Sequence, residues 1–396
     1  MTSYSKQSID EDDIQAVVDV LRSDYLTQGP VVTAFENELC RYTSAKHALA
    51  CTNGTSALHL AMLALDVGFE DIVWTTPISF VASANAALYC GAVIDFVDID
   101  IASFNISMTA LESKLEQAAL EGQLPKVVVV VHMAGKPVDL KLLKQLSEKY
   151  RFVVIEDACH ALGASYQGAK IGACHYSDIT VFSFHPVKSI ACGEGGAVLT
   201  NSDFIAANVR LMANHGITKD PALFTNQSHG GWYYEQQALG FNYRLSDIHA
   251  ALGLSQMRKL DSFIEKRTKW ADWYREKLAK LPVSFQTVEP ESKSAWHLFV
   301  IVLDEHECSE KSRNALYDFL VEKGVGVQVH YIPIHMQPYY SALDIQKGAL
   351  PRAEELYRKS ISLPLYPEME IRQATEVLTH ITDFFSSHKR IGSTID

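Results

Sequence analysis

The stretch Lys126–Ala158, KVVVVVHMAGKPVDLKLLKQLSEKYRFVVIEDA, decides the architecture. Its two ends are short, almost wholly apolar runs, and the segment between them, DLKLLKQLSEKY, carries apolar residues at helical spacing. A strand, a helix and a second strand in that order form a crossover unit. Strands with no polar alternation lie in a mainly parallel sheet covered on both faces.

The same alternation extends in both directions. DIVWTT precedes FVASANAALYCG, AVIDFVDI precedes MTALESKLEQAAL, and DITVFSF follows FVVIEDA, with GGAVLTNS as a further strand candidate before a helix at DFIAANVRLMANHG. Upstream, Ile14, Val17, Val18 and Leu21 keep helical spacing after the acidic run DEDD, which suits a helix N-terminus. NGTSALHLAMLAL reads as a turn and a buried helix, with Thr55 or Ser56 in its first turn. From LSDIHAALG to about residue 280 the pattern is a long helix, interrupted or bent. SAWHLFVIVL, SRNALYDFLVEKG, VGVQVHYIPI and a final helix near 370–386 then suggest a smaller α+β domain. The expected division is a large α/β domain over residues 1–260 and a small one over 261–396, the latter including the connecting helix.

Composition narrows the function. The chain has 396 residues, 47% of them hydrophobic, and 35 Lys and Arg against 47 Asp and Glu, a formal charge of -12. That balance argues against nonspecific binding to nucleic acid or an anionic membrane, while leaving room for a local basic site. MTSYSKQSIDEDDIQ lacks the pattern of a secretory signal, no apolar run reaches spanning length, and the seven cysteines are scattered, so a reducing cytoplasm is the expected location. Cys159-His160 and Cys174-His175 lack the short knuckles of structural zinc, so no metal site is expected.

Three features carry candidate chemistry. Lys188, in SFHPVKSIACGEGG, lies between an apolar strand and a glycine-rich turn; it is either an exposed loop cation or a desolvated amine able to attack a carbonyl. Asp157 ends a strand, where open α/β sheets gather ligands, and reads as a helix cap or as a partner for a cationic ring nitrogen. GTSA, Gly54–Ala57, is a plain N-cap or a phosphate cradle at a helix N-terminus. An anion cradle, an acid for a ring nitrogen and a lysine for an aldehyde together match pyridoxal 5'-phosphate.

With these residues in view, the whole chain resembles the sugar aminotransferases of the DegT/DnrJ/EryC1/StrS family. The likeness runs through YLTQGPVVTAFENEL, NGTSALHLAML, TTPISFVASANA, EDACHALGA, FSFHPVKSIACGEGGAVLTN, NYRLSDIHAALGLSQM and VGVQVHYIPIH. It implies the aspartate aminotransferase-like fold of fold type I pyridoxal phosphate enzymes and a homodimer with a shared active site. Lys188 would carry the cofactor aldehyde, Asp157 would hold the pyridinium nitrogen, and Phe80 would lie on the ring face. Thr55, Ser56, Ser183 and a partner subunit's Asn242 would bind the phosphate, with His160 near the ring.

SYS near the start, TTPISFVASAN, SFHPVKSI and QVHY are most like members of the pseudaminic acid pathway. They imply a UDP-linked 4-keto-6-deoxy-N-acetylamino sugar as acceptor and L-glutamate as donor; a dTDP- or GDP-linked sugar is the alternative. The resemblance assigns the acceptor site to Tyr4, Tyr25, Leu26, Thr27, Gln28, Gln328, Val329, His330 and Tyr331, with Ser56, Ser183 and Asn242 alongside. Tyr4 otherwise anchors a terminus, and QVHY is otherwise an edge strand of the small domain. The chain departs from the family at Cys192 and in the long stretch 225–240. Related sugar 3-dehydratases carry histidine at the lysine position, so Lys188 argues against dehydration. Without a helix-turn-helix extension or basic patch, a regulator without turnover is disfavoured as well.

Overall fold

The computed structural model describes residues 2–304, 310–343 and 348–389. Seven strands form the principal sheet: β1 (His47–Cys51), β2 (Ile72–Thr75), β3 (Val93–Phe96), β4 (Val127–Val131), β5 (Val153–Asp157), β6 (Ile179–Ser183) and β7 (Gly196–Thr200). Their spatial order is β1-β7-β6-β5-β4-β2-β3. The pairs from β3 through β6 are all parallel, while β7 runs antiparallel to both β6 and β1. The mainly parallel α/β sheet expected from the apolar runs is present, with GGAVLTNS as its one reversed strand.

The five valines of β4 show why these strands lack polar alternation. All are buried; Val127 and Val129 enter the hydrophobic cluster on one face, Val128 and Val130 the cluster on the other. Side chains alternate along a strand, so only a sheet covered on both faces can bury five in succession. The covering helices include α1 (Glu11–Leu21), α2 (Pro30–Thr43), α3 (Gly54–Ala64), α4 (Ala82–Tyr89), α5 (Met108–Glu121), α6 (Leu140–Tyr150), α7 (Asp203–Met212) and α8 (Asp247–Met257). The Asp10 side chain caps α1, accepting from the Asp12 and Asp13 N–H groups, so the acidic run does open a helix.

The long helical pattern breaks after Met257 and resumes as α9 (Leu260–Leu278). Beyond it, β8 (Val283–Phe285), β9 (Phe299–Leu303) and β10 (Ser360–Leu363) make an antiparallel sheet in the order β8-β9-β10. With α10 (Glu310–Glu322), α11 (Pro351–Lys359) and α12 (Ile371–Lys389) it forms the C-terminal lobe, whose core joins Tyr274 of α9 to Phe299, Leu316, Ile361 and Phe384. Residues 328–331 do not form an edge strand: Gln328 alone bridges Ser362. Thr2 bridges Val325, which ties the N-terminus to this lobe.

Six cysteines are free thiols, and Cys308 lies outside the described residues. Among the described residues no helix is long and apolar enough to cross a membrane.

Candidate active site

The carboxyl ends of β4, β5 and β6, the N-terminus of α3 and the segment 330–331 surround a cavity of about 470 Å³, a size suited to a cofactor with part of its substrate. Asp157, the last residue of β5, enters it from the floor and is nearly fully buried. Its Oδ2 accepts from the Ser83 hydroxyl at 2.5 Å and its Oδ1 from the Cys159 N–H at 3.2 Å. Ser83 Oγ also lies 2.7 Å from Ser79 Oγ, in the bend before α4, so a chain of two serines supports one carboxylate. Bonds of this kind fix the direction of its free lone pairs.

Lys188 lies on the connection between β6 and β7. That connection is pinned where the Phe184 N–H donates to the Gly195 carbonyl at 2.8 Å, and where the Cys192 N–H donates to the Phe184 carbonyl at 2.8 Å. Among the described residues none accepts a hydrogen bond from its amine. Burial lowers the Lys188 pKa, against the opposing pull of Cys159 and Asp157. The loop lysine is therefore a cavity-lining amine and not a solvated surface cation.

The close approach of the α3 tip to the sheet depends on two glycines. Asn53 caps α3 by accepting from the Ser56 N–H at 2.8 Å, which leaves the Gly54 and Thr55 N–H groups at the helix tip beside the cavity. A Cβ on Gly54 would stand 2.9 Å from Ser183 Cβ, and one on Gly196 would run into the Asn53 carbonyl. Lacking both, the helix end approaches the ends of β6 and β7 closely enough for Thr55 and Ser183 to line the same corner.

The opposite wall is aromatic. Phe80 is 58% exposed into the opening, and its ring centroid lies 6.3 Å from that of Tyr331. The Tyr331 hydroxyl and His160 Nε2 share a hydrogen bond of 3.2 Å, while the buried His160 Nδ1 has no partner among the described residues. His330 Nδ1 bonds the Ser362 hydroxyl at 2.8 Å, and its ring faces Tyr4 at 5.8 Å. Burial, then the Lys188 charge, push the His330 pKa down to about 4, and burial chiefly holds His160 well below the ordinary histidine range.

Tyr4, Thr55, Phe80, Asp157, His160, Ser183, Lys188, His330 and Tyr331 thus line one cavity. Ser56 lies behind it, its hydroxyl bonded to Asn53 Oδ1 at 2.9 Å and to Thr52 at 2.8 Å. Tyr25 and Leu26 are exposed, Thr27 bridges Ser246, and Gln28 borders a separate cavity between α2 and α7. Asn242 bridges Asn214, and neither it nor Gln328 nor Val329 belongs to the lining. The stretch 225–240 also stays outside, with Trp232 and Tyr234 exposed. Sequence reasoning missed Asn53, Ser79, Ser83, Cys159 and Glu194 as site residues; the two serines of TTPISFVASAN, one before α4 and one in its first turn, were a usable signal for a polar contact in an otherwise apolar stretch.

These residues fit pyridoxal phosphate: a helix tip for the phosphate, a carboxylate on the floor, a ring above and a free amine at the side. The model of the DegT/DnrJ/EryC1/StrS aminotransferase family matches residues 7–382. The UDP-4-amino-4,6-dideoxy-N-acetyl-beta-L-altrosamine transaminase of Campylobacter jejuni serotype O:2 is 39% identical over 377 residues, covering 94% of this chain and 95% of its own. Helicobacter pylori PseC, an aminotransferase involved in the biosynthesis of pseudoaminic acid, has a TM-score of 0.88 and 33% identity over 98% of this chain and 99% of its own. The PLP form of Spr1654 from Streptococcus pneumoniae has a TM-score of 0.87 and 25% identity, with 98% of each chain covered. The chain belongs to the DegT/DnrJ/EryC1/StrS aminotransferase family, sugar aminotransferases of fold type I with pyridoxal phosphate as cofactor.

Proposed function

We propose that this enzyme moves the amino group of L-glutamate to C4 of a UDP-linked 4-keto-6-deoxy-N-acetylamino sugar, UDP-2-acetamido-2,6-dideoxy-beta-L-arabino-hexos-4-ulose, in the pseudaminic acid pathway. The observation that carries the amino-transfer chemistry is the meeting of Lys188, Asp157 and the α3 tip in one cavity. The relatives named above, one a transaminase of a UDP-linked N-acetylamino sugar, support the acceptor.

When bound, pyridoxal phosphate supplies an aldehyde to receive the amino group and a ring to accept the electron pair freed at the α-carbon. The N–H groups of Gly54 and Thr55 and the Ser183 hydroxyl would hold its phosphate, and Phe80 would cover its ring. Asp157 would keep a proton on the ring nitrogen. Lys188 would hold the aldehyde end, and its amine would move the proton of the donor α-carbon. Burial suits the lysine to both roles, because a lowered pKa raises the uncharged fraction that acts as nucleophile and base. Tyr4, His330 and Tyr331 line the mouth on the acceptor side. Tyr25–Gln28 and Asn242 face outward from their own chain's cavity, which suits a homodimer in which they serve the partner's site.

The test begins with the purified protein, which is expected to bind pyridoxal phosphate in a coloured form that bleaches with L-glutamate and returns with the UDP-linked keto sugar. Lys188→Ala keeps the fold and loses turnover by at least about 100-fold; near-normal transamination by that variant refutes the assignment. Mass analysis of products from UDP-, dTDP- and GDP-linked keto sugars decides the acceptor, and preference for a dTDP or GDP sugar overturns that part of the reading.

A further inference from the structure

His297 is a buried imidazole with no place in the scheme above. It is 2% exposed, and its ring centroid lies 4.3 Å from that of His160. Like His160, it has a buried Nδ1 without a partner among the described residues. The backbone that presents it is held from three sides. Arg267 of α9, 1% exposed, donates from one guanidinium nitrogen to the carbonyls of Trp296 at 3.4 Å, His297 at 3.3 Å and Leu365 at 3.0 Å. From the turn after β4, the Gly135 carbonyl accepts from the Ala295 N–H at 3.0 Å; a Cβ on Gly135 would stand 2.9 Å from both the His160 carbonyl and the Trp296 N–H nitrogen. Ser294 Oγ accepts from the Trp296 N–H at 3.1 Å.

Trp296 has a φ of +47°, a conformation that a bulky residue adopts only when its surroundings impose it. A strained residue, a buried cation with no carboxylate at ion-pair distance among the described residues, and a glycine close approach all converge on the presentation of one imidazole.

Building on the aminotransferase reading of the cavity, we propose that His297 is a positioning residue for the reaction: packed at a tilt against His160, it keeps that ring dry, uncharged and turned so that Nε2 meets the Tyr331 hydroxyl. Among the described residues, the charged and titratable groups that share the cavity with His160 are Lys188, Asp157, Cys159, Tyr331, His330, Tyr4, His185 and Glu194, with His297, backed by Arg267, behind it. Burial, with Lys188 and His330 adding to it, holds His160 neutral. His297 is the part of that burial removable without touching the cavity lining. Its loss admits water behind His160, which then takes up a proton nearer the ordinary histidine range. An imidazolium there disturbs Tyr331 and repels a protonated nitrogen on Lys188.

The test compares His297→Ala and His297→Phe holoenzymes with wild type by two readouts: the pH titration of the visible absorbance of the Lys188-bound cofactor without substrate, and the pH profile of single turnover with L-glutamate. The alanine protein is expected to move the acid limb of the turnover profile up by about one pH unit, shift the absorbance midpoint, and fall clearly below wild type in turnover at about pH 6 while staying within about twofold of it at pH 7. The phenylalanine protein, which restores the wall, returns all three toward wild type. His297→Asn carries the same comparison if the alanine protein does not fold. Unmoved pH behaviour in a folded alanine or asparagine protein overturns the proposal, as does failure of phenylalanine to rescue. Absence of the coloured form from wild type instead overturns the cofactor reading of the cavity.

Discussion

Replacing Ser83 by alanine isolates the support of the proposed ring-nitrogen acid from the acid itself. The Ser83 hydroxyl has one proton, and at 2.5 Å it is given to Asp157 Oδ2, so Ser79 at 2.7 Å is the donor to Ser83. Both Ser83 and Asp157 are buried, and the other support for the carboxylate comes from Cys159, whose N–H donates at the longer distance of 3.2 Å and whose thiol also bonds it. A buried hydrogen bond to a charged group contributes about 1.5–3 kcal/mol. If all of it were lost from the transition state, the rate would fall by roughly 10- to 150-fold, since about 1.36 kcal/mol is a factor of ten. Partial replacement by water, or by Ser79 turning toward the carboxylate, favours the lower end of that range. The expected result for Ser83→Ala is therefore a drop of about 10-fold in single-turnover rate with L-glutamate, with little change in KM. Ser79→Ala, one bond further away, should lose less than about fivefold, because it removes a neutral bond of only about 1 kcal/mol and leaves the charged one in place. Stopped-flow absorbance of the holoenzyme measures both. A Ser83→Ala protein within about twofold of wild type, beside an inactive Asp157→Asn protein, would show that the carboxylate acts without this support.

Two further outcomes follow from the same geometry. Gly196→Ala drives a methyl group into the Asn53 carbonyl at the α3 tip, so it should cost about 1–3 kcal/mol of stability; it should also weaken pyridoxal phosphate binding more than it weakens binding of phosphate-free pyridoxal, as read by equilibrium dialysis. Stability should fall on acidification, because His160, His297 and His330 all have pKa values below the ordinary 6.5. A histidine kept neutral by the fold is protonated first in the unfolded chain, so its contribution is intact above about pH 6.5 and is lost below it. For His330 the loss extends from about 6.5 down to about 4 and amounts to roughly 3 kcal/mol. Urea denaturation at about pH 7.5 and about pH 5 checks the sign, and His330→Gln should flatten part of the slope.

The strand-helix-strand reading of residues 126–158 succeeded because burial on both faces of a sheet leaves a direct mark, five valines in a row, that no exposed strand would tolerate. Direction leaves no such mark. GGAVLTNS is as apolar as its parallel neighbours, and its reversal comes from the Lys188 connection folding back on β6, a tertiary event without a periodic signature. QVHY failed as an edge strand for a related reason: β-branched and aromatic residues suit a strand, but only Gln328 meets Ser362 before the backbone turns His330 and Tyr331 toward the cavity.

Among the site residues, Asp157 and Gly54–Thr55 were legible because each sits at the end of a recognisable element, and Lys188 because it lies between an apolar strand and a glycine-rich turn. Ser83 and His297 were not. They reach the site from positions 74 residues before Asp157 and far downstream on the other lobe, and hydrophobic pattern records that a residue is buried without recording which polar group it meets. The residues that sequence reading finds are those whose chemistry depends on the local chain, and the residues it misses orient that chemistry across the fold. Substitutions at Lys188 therefore test which reaction occurs, whereas substitutions at Ser83 and His297 test how the fold holds the reacting groups, and the two sets should separate in the size of their effects, at least about 100-fold for Lys188→Ala against about 10-fold for Ser83→Ala.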